Sequence, residues 1–323
     1  MEFGVPRARE MLDALGEALE YILYHKNRPR LLGVLQTYQL LAEDPDKNLP
    51  DAAMVGWCVE LLECYQISVD DMMDGSPMRR GRPAAHTRPD IGWRAIIDAV
   101  IFEKAVSFVL KRRLSSHPML PALLDLFDDC DLRAVLGQMF DVLSTATTSG
   151  GQQLRHPSFD RYWAVGILKS GPFTLELPVR AGMYMAGVVD PKLHQQAHEA
   201  STALGQIYMA HNDFNDCYSC PEVMGRVGTD IVEHKHTWFL ISALKLASPE
   251  QVQTIKAHIG RGVTGGPDEA AVKAVYDELN LHDRYMEFQN QALRDFDEHL
   301  DRMPPNMAEA FRLQRDILMG PDT

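Results

Sequence analysis

Apolar residues recur along most of the chain at the spacing of an α-helix. In residues 54–70, five positions follow one another at intervals of four, three, four and three residues: Val55, Val59, Leu62, Gln66 and Val69. This spacing places them on one helix face. A second apolar face carries Trp57, Leu61 and Tyr65. A helix that is apolar on two faces is predicted to be buried on both.

The same periodicity extends to both sides of this segment, and no convincing alternation typical of strands interrupts it. The predicted helical segments are 95–113, 121–146, 160–187, 192–217, 233–247, 250–260, 268–279 and 282–302. Pro172 and Pro178 fall inside one of them, which predicts a kink there. No low-complexity linker or internal repeat divides the chain. The pattern therefore predicts a single all-α domain over residues 1–323, built from about ten helices.

The charge balance excludes some classes of partner. Lys and Arg total 32 and Asp and Glu total 45, so the formal net charge is −13. A chain this acidic is a poor candidate for binding nucleic acid or an anionic membrane. An anionic small-molecule substrate remains compatible, provided that basic residues or bound cations create the site locally.

The N-terminal residues and the cysteines favour a cytoplasmic protein. The start of the chain, MEFGVPRARE, has neither the apolar core of a signal peptide nor the Arg/Ser-rich character of a transit peptide. No uncharged apolar stretch reaches the length of a membrane span. The five cysteines are too few and too scattered for a disulfide framework. Cys217 and Cys220 form a single CxxC motif that lacks the partners of a zinc site.

Two acidic clusters each follow an apolar helical segment. The first consists of Asp70, Asp71 and Asp74, and the second of Asn212, Asp213 and Asp216. On a helix, the first and last members of each cluster lie one turn apart on the same face. Like charges at this spacing repel one another, so a cation is expected between them. A few carboxylates, completed by water and substrate phosphates, are typical Mg2+ ligands.

Basic residues lie near both acidic clusters and in the segment between them. They are Arg79, Arg80, Lys169, Arg226 and Lys235. Together with the acidic clusters, they predict a cavity with two metal-binding walls that clamps a polyphosphate.

At this point the sequence resembles the trans-isoprenyl diphosphate synthases of the farnesyl diphosphate synthase type. The resemblance rests on four stretches: residues 58–83, with DDMMD followed by RRG; LGQMFD at 136–141; residues 168–187, which begin LKSGP; and residues 212–238, with GRVGTDI followed by Lys235. It implies a helical bundle around a deep central cavity, usually in a homodimer, and three Mg2+ ions that bind a prenyl diphosphate.

The resemblance also implies roles for individual residues. Asp70, Asp71 and Asp74 would be the first metal motif, and Asn212, Asp213 and Asp216 the second. Arg79, Arg80, Lys169, Arg226 and Lys235 would bind substrate diphosphate. Lys169 and Ser170 would form a polar edge near the carbocation, Tyr65 and Gln66 would set the cavity floor for ten- or fifteen-carbon chains, and Gln138, Asp141 and Asp230 would support the site.

The chain departs from the family where a second substrate, isopentenyl diphosphate, would bind. Asn27 stands at a lysine position, Glu63 at a glutamine position, and the C-terminal tail has no basic residue, although Arg30 is retained. An ionised Glu63 near a diphosphate would repel it by about 4 kcal/mol at an effective dielectric near 20. Pairing with Arg30 or Arg80 would reduce that penalty.

Three functional hypotheses follow from the intact first site and the altered second site. The favoured one is a Mg2+-dependent terpene synthase of this ancestry, which would ionise farnesyl or geranyl diphosphate and release a terpene. The first alternative is a farnesyl or geranyl diphosphate synthase that condenses an allylic diphosphate with isopentenyl diphosphate. The second alternative is a non-catalytic partner subunit that binds diphosphates.

Overall fold

The structure is a computed structural model, and it describes residues 8–24, 27–145, 156–219 and 228–320. Cys220 and Arg226, which the sequence analysis names, lie outside these ranges. By the density of its internal contacts the chain divides into two compact units. The first comprises Met1–Asp128 and Arg180–Val188, and the second comprises Asp129–Val179 and Val189–Thr323.

The prediction of an all-α fold is confirmed for the described residues. The helices are α1 (Ala8–Ile22), α2 (Pro29–Leu41), α3 (Leu49–Asp74), α4 (Arg94–Arg113), α5 (Leu120–Thr145), α6 (Phe159–Val165), α7 (Leu177–Met185), α8 (Pro191–Tyr218), α9 (Trp238–Leu246), α10 (Pro249–His258), α11 (Pro267–Glu278), α12 (Leu281–Leu300) and α13 (Pro305–Met319). Extended structure within these ranges is confined to a short hairpin of β1 (Met78–Arg79) and β2 (Arg82–Pro83). A 3-10 turn, Ala85–Thr87, follows the hairpin.

Most helix boundaries agree with the predicted segments because proline and capping residues mark them. Pro191, Pro249 and Pro267 each open a helix, where the missing N–H of proline costs nothing. The segment predicted from residue 233 begins later, at Trp238, where the Thr237 side chain accepts the Leu240 N–H and caps the helix.

The predicted kink takes the form of two π-helical segments. Between α6 and α7 the chain forms Gly166–Ser170 and Pro172–Glu176, both with π-helical hydrogen bonding. Proline has no N–H to donate to the preceding turn, which disrupts regular α-helical bonding. Pro178 lies in the first turn of α7, where that loss is tolerated. Wide π turns of this kind often mark functional sites.

The first unit is organised around α3, which packs against α2 and α4. Val55, Val59 and Leu62 on the predicted face are all at most 2% exposed, as the periodicity predicts. The predicted burial of the second face is wrong at Trp57, which is 44% exposed. This ring lies beneath the guanidinium of Arg28, 5.9 Å from its centroid, so a cation covers it instead of an apolar neighbour.

The second unit has an aromatic core formed by α6, α9, α11 and α12. Its fully buried members include Tyr162, Phe239, Tyr276 and Tyr285. Phe214 of α8 stacks on Tyr285 with ring centroids 4.7 Å apart. The same packing therefore fixes the end of α8, where the second acidic cluster lies.

A glycine allows α7 to approach α2 closely in the first unit. A Cβ atom at Gly182 would lie 2.6 Å from the Thr37 Cβ and 2.7 Å from the Val34 carbonyl oxygen. We expect Gly182→Ala to lower the free energy of unfolding by about 1–3 kcal/mol because the backbone of α2 must shift. Urea denaturation of the full chain measures this change.

Gly16 in α1 provides the matched control, because no atom lies within 4 Å of the Cβ position there. Gly16→Ala is expected to raise the free energy of unfolding by about 0.5–1 kcal/mol, since alanine is the better helix former. Equal stability of Gly182→Ala and the wild type would contradict the close approach of α2 and α7.

Candidate active site

The first acidic cluster occupies the C-terminal end of α3, in the first unit. Gly75 follows it with a left-handed φ of 65°, and the N–H groups of Gly75 and Ser76 both bond back to the Asp71 carbonyl. A glycine in this conformation is the usual way to end a helix. The chain then turns at Arg80 and Gly81, both at positive φ (54° and 75°), and forms the hairpin.

This tight turn directs Arg79 back onto the aspartates. Its Nη2 lies 2.6 Å from Asp71 Oδ1 and 3.1 Å from Asp70 Oδ2, and its Nε donates to Asp71 Oδ1 at 2.9 Å. Burial raises the pKa of Asp71, and the Arg79 charge opposes that shift. Burial likewise opposes the charge on Arg79, but Asp71 and Asp70 outweigh it and raise its pKa. A cation therefore already lies between two of the predicted metal ligands.

A second ion-pair network lies nearer the middle of α3. Glu63 Oε1 lies 2.6 Å from Arg30 Nη1 and 2.5 Å from Arg80 Nη2, and the Glu63 side chain is only 4% exposed. One turn earlier, Glu60 accepts the Leu31 N–H at 3.1 Å. The predicted pairing of Glu63 is confirmed with both arginines. Its charge is therefore balanced, which removes most of the repulsion expected of a bare carboxylate.

Tyr65 and Gln66, the predicted cavity-floor residues, are half-buried on α3. Tyr65 packs against a small apolar cluster of Ala18, Cys64 and Phe102. The C-terminal half of α1 also covers this cluster, so α1 stands beside the residues one turn ahead of the first acidic cluster.

The second acidic cluster ends α8, in the second unit. Asp213 Oδ2 accepts hydrogen bonds from the Tyr162 hydroxyl at 2.7 Å and from the Trp238 N–H at 2.8 Å. Burial raises the pKa of Asp213 to about 7, against these two donors and with help from the Asp216 and Asp141 charges. A buried carboxylate with like-charged neighbours provides the electrostatic setting that a divalent cation would stabilise.

Asp216 and Asp230 act together in shaping the loop after α8. The two Asp216 carboxylate oxygens accept the Thr229 and Asp230 N–H groups at 3.2 and 3.0 Å. The Asp230 carbonyl in turn accepts the Lys235 N–H at 2.9 Å. Asn212 is half-buried on α8, one turn before Asp216. The described parts of the loop are thus anchored to the second cluster.

Lys169 lies in the first π-helical segment and is ion-paired with Asp141 of α5. Its Nζ is 2.9 Å from Asp141 Oδ2. One turn before Asp141, a Cβ at Gly137 would lie 2.4 Å from the Lys169 N atom, so only glycine permits this contact. Gln138 beside it is 6% exposed. Ser170 ends the π segment and is half-buried.

Within the described ranges, no three carboxylate, imidazole or thiol ligand atoms of either aspartate cluster lie within 4.8 Å of one another. Asp129, Cys130 and Glu176 do meet that distance, but the Arg133 guanidinium lies among them, 2.7 Å from Asp129 and 2.9 Å from Glu176. These side chains therefore hold the Arg133 guanidinium rather than a metal ion. A partial set of carboxylate oxygens is compatible with Mg2+, because this ion completes its coordination shell with water and substrate oxygens.

Sequence reasoning missed several residues that hold the site together. Tyr162 and Glu60 carry no motif signal, and although Gly137 lies in LGQMFD, the motif does not say why a glycine is needed there. The long-range hydrogen bond of Tyr162, the close approach at Gly137 and the buried carboxyl of Glu60 all depend on tertiary packing. The RRG motif drew attention to Arg79 and Arg80 but not to Arg82, which follows directly.

Comparisons with known proteins agree on one family. The family model described as polyprenyl synthetase matches residues 13–279. Farnesyl pyrophosphate synthase of cattle (Bos taurus) is 33% identical over 295 residues, which cover 90% of this chain and 82% of the relative. The enzyme of that name from Saccharomyces cerevisiae is 30% identical over 300 residues, with 91% and 84% covered.

A solved structure shows the same fold. Trypanosoma brucei farnesyl diphosphate synthase, complexed with the bisphosphonate BPH-721, matches with a TM-score of 0.90 at 24% identity. The match covers all of this chain and 94% of the other. Across the described residues, no helix combines the length and apolar character that crossing a membrane requires.

The Glu60 carboxyl predicts a specific dependence of stability on pH. Burial, followed by the Glu63 charge, raises its pKa from 4.5 to about 7. The native state therefore keeps a proton that the unfolded chain loses, and stability falls as the pH rises through this window. Between about pH 5 and 8 we expect the wild type to lose on the order of 2 kcal/mol more than Glu60→Gln, which stays neutral. If the free energies of unfolding of the wild type and of Glu60→Gln change equally with pH in urea denaturation, Glu60 is not the group responsible.

Proposed function

Because the chain belongs to the polyprenyl synthetase family, we propose that it is a short-chain trans-prenyltransferase, a farnesyl or geranyl diphosphate synthase. It would condense an allylic diphosphate with isopentenyl diphosphate and release diphosphate. The observation that carries the proposal is the similarity to farnesyl pyrophosphate synthases at 30–33% identity over about nine tenths of the chain.

Two observations favour this function over the terpene synthase predicted from the sequence: the ion pairs of Glu63 and the identity of the relatives. That prediction rested on the intact first site and on the altered second-substrate site, where Asn27, the C-terminal tail and above all the negative charge of Glu63 depart from the family. Glu63 is instead paired with Arg30 and Arg80, so the repulsion of a second diphosphate is smaller than the bare charge would produce. The relatives named above are farnesyl pyrophosphate synthases.

The site residues have distinct proposed roles. Asp70, Asp71 and Asp74 of the first unit, and Asn212, Asp213 and Asp216 of the second, would hold Mg2+, in the predicted number of three ions. Bound Mg2+ would supply the positive charge that stabilises the departing diphosphate. Arg79, Lys169, Arg226 and Lys235 would donate hydrogen bonds to that group. Gln138, Asp141 and Asp230 would support them.

The ion pairs described above hold two hydrogen-bond donors in fixed positions. Asp141 holds the Lys169 ammonium in position, and Asp70 and Asp71 hold the Arg79 guanidinium. Metal bound by the aspartates would compete with Arg79 for their oxygens, and Arg79 would then be able to donate to the substrate diphosphate. Lys169 and Ser170 would form the polar edge near the carbocation, and Tyr65 and Gln66 would limit the product to ten or fifteen carbons.

We further propose that the chain acts as one isoprenoid-synthase domain and forms a homodimer. Two exposed apolar faces support the dimer. On α4 they are Ile96, Ile97, Val100 and Phe108, and on α5 they are Leu132, Leu136, Met139 and Leu143, each at least 42% exposed. The α5 residues follow one another at intervals of four, three and four, which forms a continuous stripe. A second copy would cover such surfaces.

The cytoplasmic location stays a prediction.

Product analysis tests the proposed reaction. With geranyl diphosphate, isopentenyl diphosphate and Mg2+, we expect farnesyl diphosphate to form and isopentenyl diphosphate to be consumed, as followed by mass spectrometry. A hydrocarbon or alcohol from farnesyl diphosphate alone, without consumption of isopentenyl diphosphate, would establish a terpene synthase. Absence of any product in both reactions would support the non-catalytic alternative.

A matched pair of variants tests the first metal motif. Asp71→Asn is expected to lower the condensation rate by about a hundredfold to a thousandfold, because an amide lacks the charge that binds metal. Asp98→Asn is the control: this carboxylate is equally buried in the first unit and is paired with Arg94 at 3.1 Å. Its rate should stay within about threefold of the wild type, since it lies outside both motifs. Equal losses in both variants would show that the effect is structural.

A further inference from the structure

The register of the two π-helical segments between α6 and α7 decides where Lys169 points. Lys169 lies in the first segment, Gly166–Ser170, and the second segment is Pro172–Glu176. Each residue of a helix turns the chain by about 100°, so a slip of one residue moves every side chain to another face. A return to ordinary α-helical turns would therefore take the Lys169 ammonium away from Asp141, from which it is now 2.9 Å distant.

Close helix contacts hold this stretch from two sides, but they do not specify its register. A Cβ at Gly205 of α8 would lie 2.8 Å from the Gly171 Cα, between the two segments. The contact of Gly137 of α5 with the Lys169 backbone is of the same kind. Contacts of this type limit the distance between two backbones. A hydrogen bond to one particular carbonyl, by contrast, is directional and selects a single register.

Gln314 of α13 makes such a bond to the second π-helical segment. Its side chain is fully buried, at 0% exposure, and its Nε2 donates to the Thr174 carbonyl at 3.3 Å. The α-helical donor for this carbonyl would be residue 178, but Pro178 has no N–H. A side chain from the C-terminal helix therefore takes the place of the donor that the proline lacks.

The stability of the fold does not explain why a glutamine occupies this position. Among the described residues, no donor lies within hydrogen-bond distance of the buried Gln314 Oε1. A buried polar atom without a partner costs free energy, and an apolar side chain of the same shape would avoid that cost. The contact that the amide does make, with Thr174, is therefore the reason we assign for its presence.

A second polar anchor lies two residues further along the same segment. Glu176 is 1% exposed, and its Oε2 lies 2.9 Å from Arg133 Nη2 of α5 and 3.0 Å from His198 Nδ1 of α8. The second π-helical segment is thus bonded at specific atoms to three helices of the second unit. Removal of Glu176 would leave a partly buried arginine without this partner, so Gln314 is the anchor that can be changed with less damage to the fold.

We propose that Gln314 is a positioning residue, which acts through the Thr174 carbonyl to maintain the π-helical register that directs Lys169 toward Asp141 and the substrate diphosphate. The contact of Lys169 with the diphosphate rests on the proposed function. The effect of Gln314 on the register depends only on contacts within the second unit.

Gln314→Met tests this role, because methionine has a similar shape and no donor. Urea denaturation of the full chain should show a stability equal to or above that of the wild type, since the unpartnered oxygen is also removed. Amide hydrogen exchange of residues 166–177 should become about fivefold to tenfold faster, as expected for the loss of one neutral hydrogen bond. Unchanged exchange there, or a variant that unfolds more readily than the wild type, would overturn the proposal.

Gln289→Met is the matched control for the exchange measurement. Gln289 lies on α12 and is 4% exposed, so this change also removes a buried amide from the second unit. Exchange of residues 166–177 should stay within about twofold of the wild type, because local opening reports local contacts. An equal acceleration in both variants would show a general loosening of the unit and would contradict the assignment to Gln314.

Gln314→Glu is the rescue variant. Burial favours the protonated form of a carboxyl group, which has nearly the shape of the amide and keeps a donor for the Thr174 carbonyl. At pH 6, exchange of residues 166–177 should therefore stay within about threefold of the wild type. If it is as fast as in Gln314→Met, the donor is not what holds the register.

A double-mutant cycle with Lys169→Met shows whether Gln314 acts through Lys169. With geranyl and isopentenyl diphosphates, Gln314→Met should lower kcat by about fivefold to tenfold in the wild-type background and by less than twofold in the Lys169→Met background. Equal losses in both backgrounds would contradict an action through Lys169. If the wild type catalyses no condensation, the proposed function fails, whereas the exchange measurements still decide the role of Gln314.

Discussion

The first unit depends on the compensation of buried carboxylates along α3. Glu60, Glu63 and Asp71 are each at most 4% exposed on a helix whose other buried residues are apolar apart from Ser68. Removing such charges from water costs several kcal/mol each unless partners compensate them. Arginines from α2 and the hairpin supply that compensation to Glu63 and Asp71. Glu60 avoids much of the cost because its raised pKa lets it keep its proton, and it accepts the Leu31 N–H. The ion pairs therefore help to hold the hairpin in place.

The arginines that compensate the carboxylates of α3 are also candidate ligands for a substrate diphosphate. Arg80 adopts a left-handed backbone conformation that is unfavourable for any residue with a side chain, and its ion pair with Glu63 helps to offset that cost. The arginines that hold the fold together are thus the groups best placed to meet an anion. A carboxylate that stabilises the resting protein also reduces the charge offered to a ligand, and Glu63 does both.

In the second unit, uncharged hydrogen-bond donors hold the carboxylate of Asp213 in position. Asp213 is surrounded by an aromatic core, and a tyrosine hydroxyl and a backbone N–H bond to one of its oxygens. These dipoles orient the carboxylate and oppose the rise in its pKa that burial causes, so they favour the charged form that a cation would bind. Lys169 is held differently, by an ion pair whose geometry depends on the π-helical segment and on the absence of a side chain at Gly137.

The sequence by itself determined the helices, the proline-marked starts of several of them, the two acidic clusters and the family. Each of these depends on residues near one another in the chain, where periodicity and spacing act directly. Only the tertiary structure decided that Trp57 is covered by a cation, that two arginines balance Glu63, and that Gln314 bonds to the Thr174 carbonyl. Those outcomes depend on which side chains meet across distant segments. The free energy of a buried charge is set by such neighbours, whatever its position in a motif.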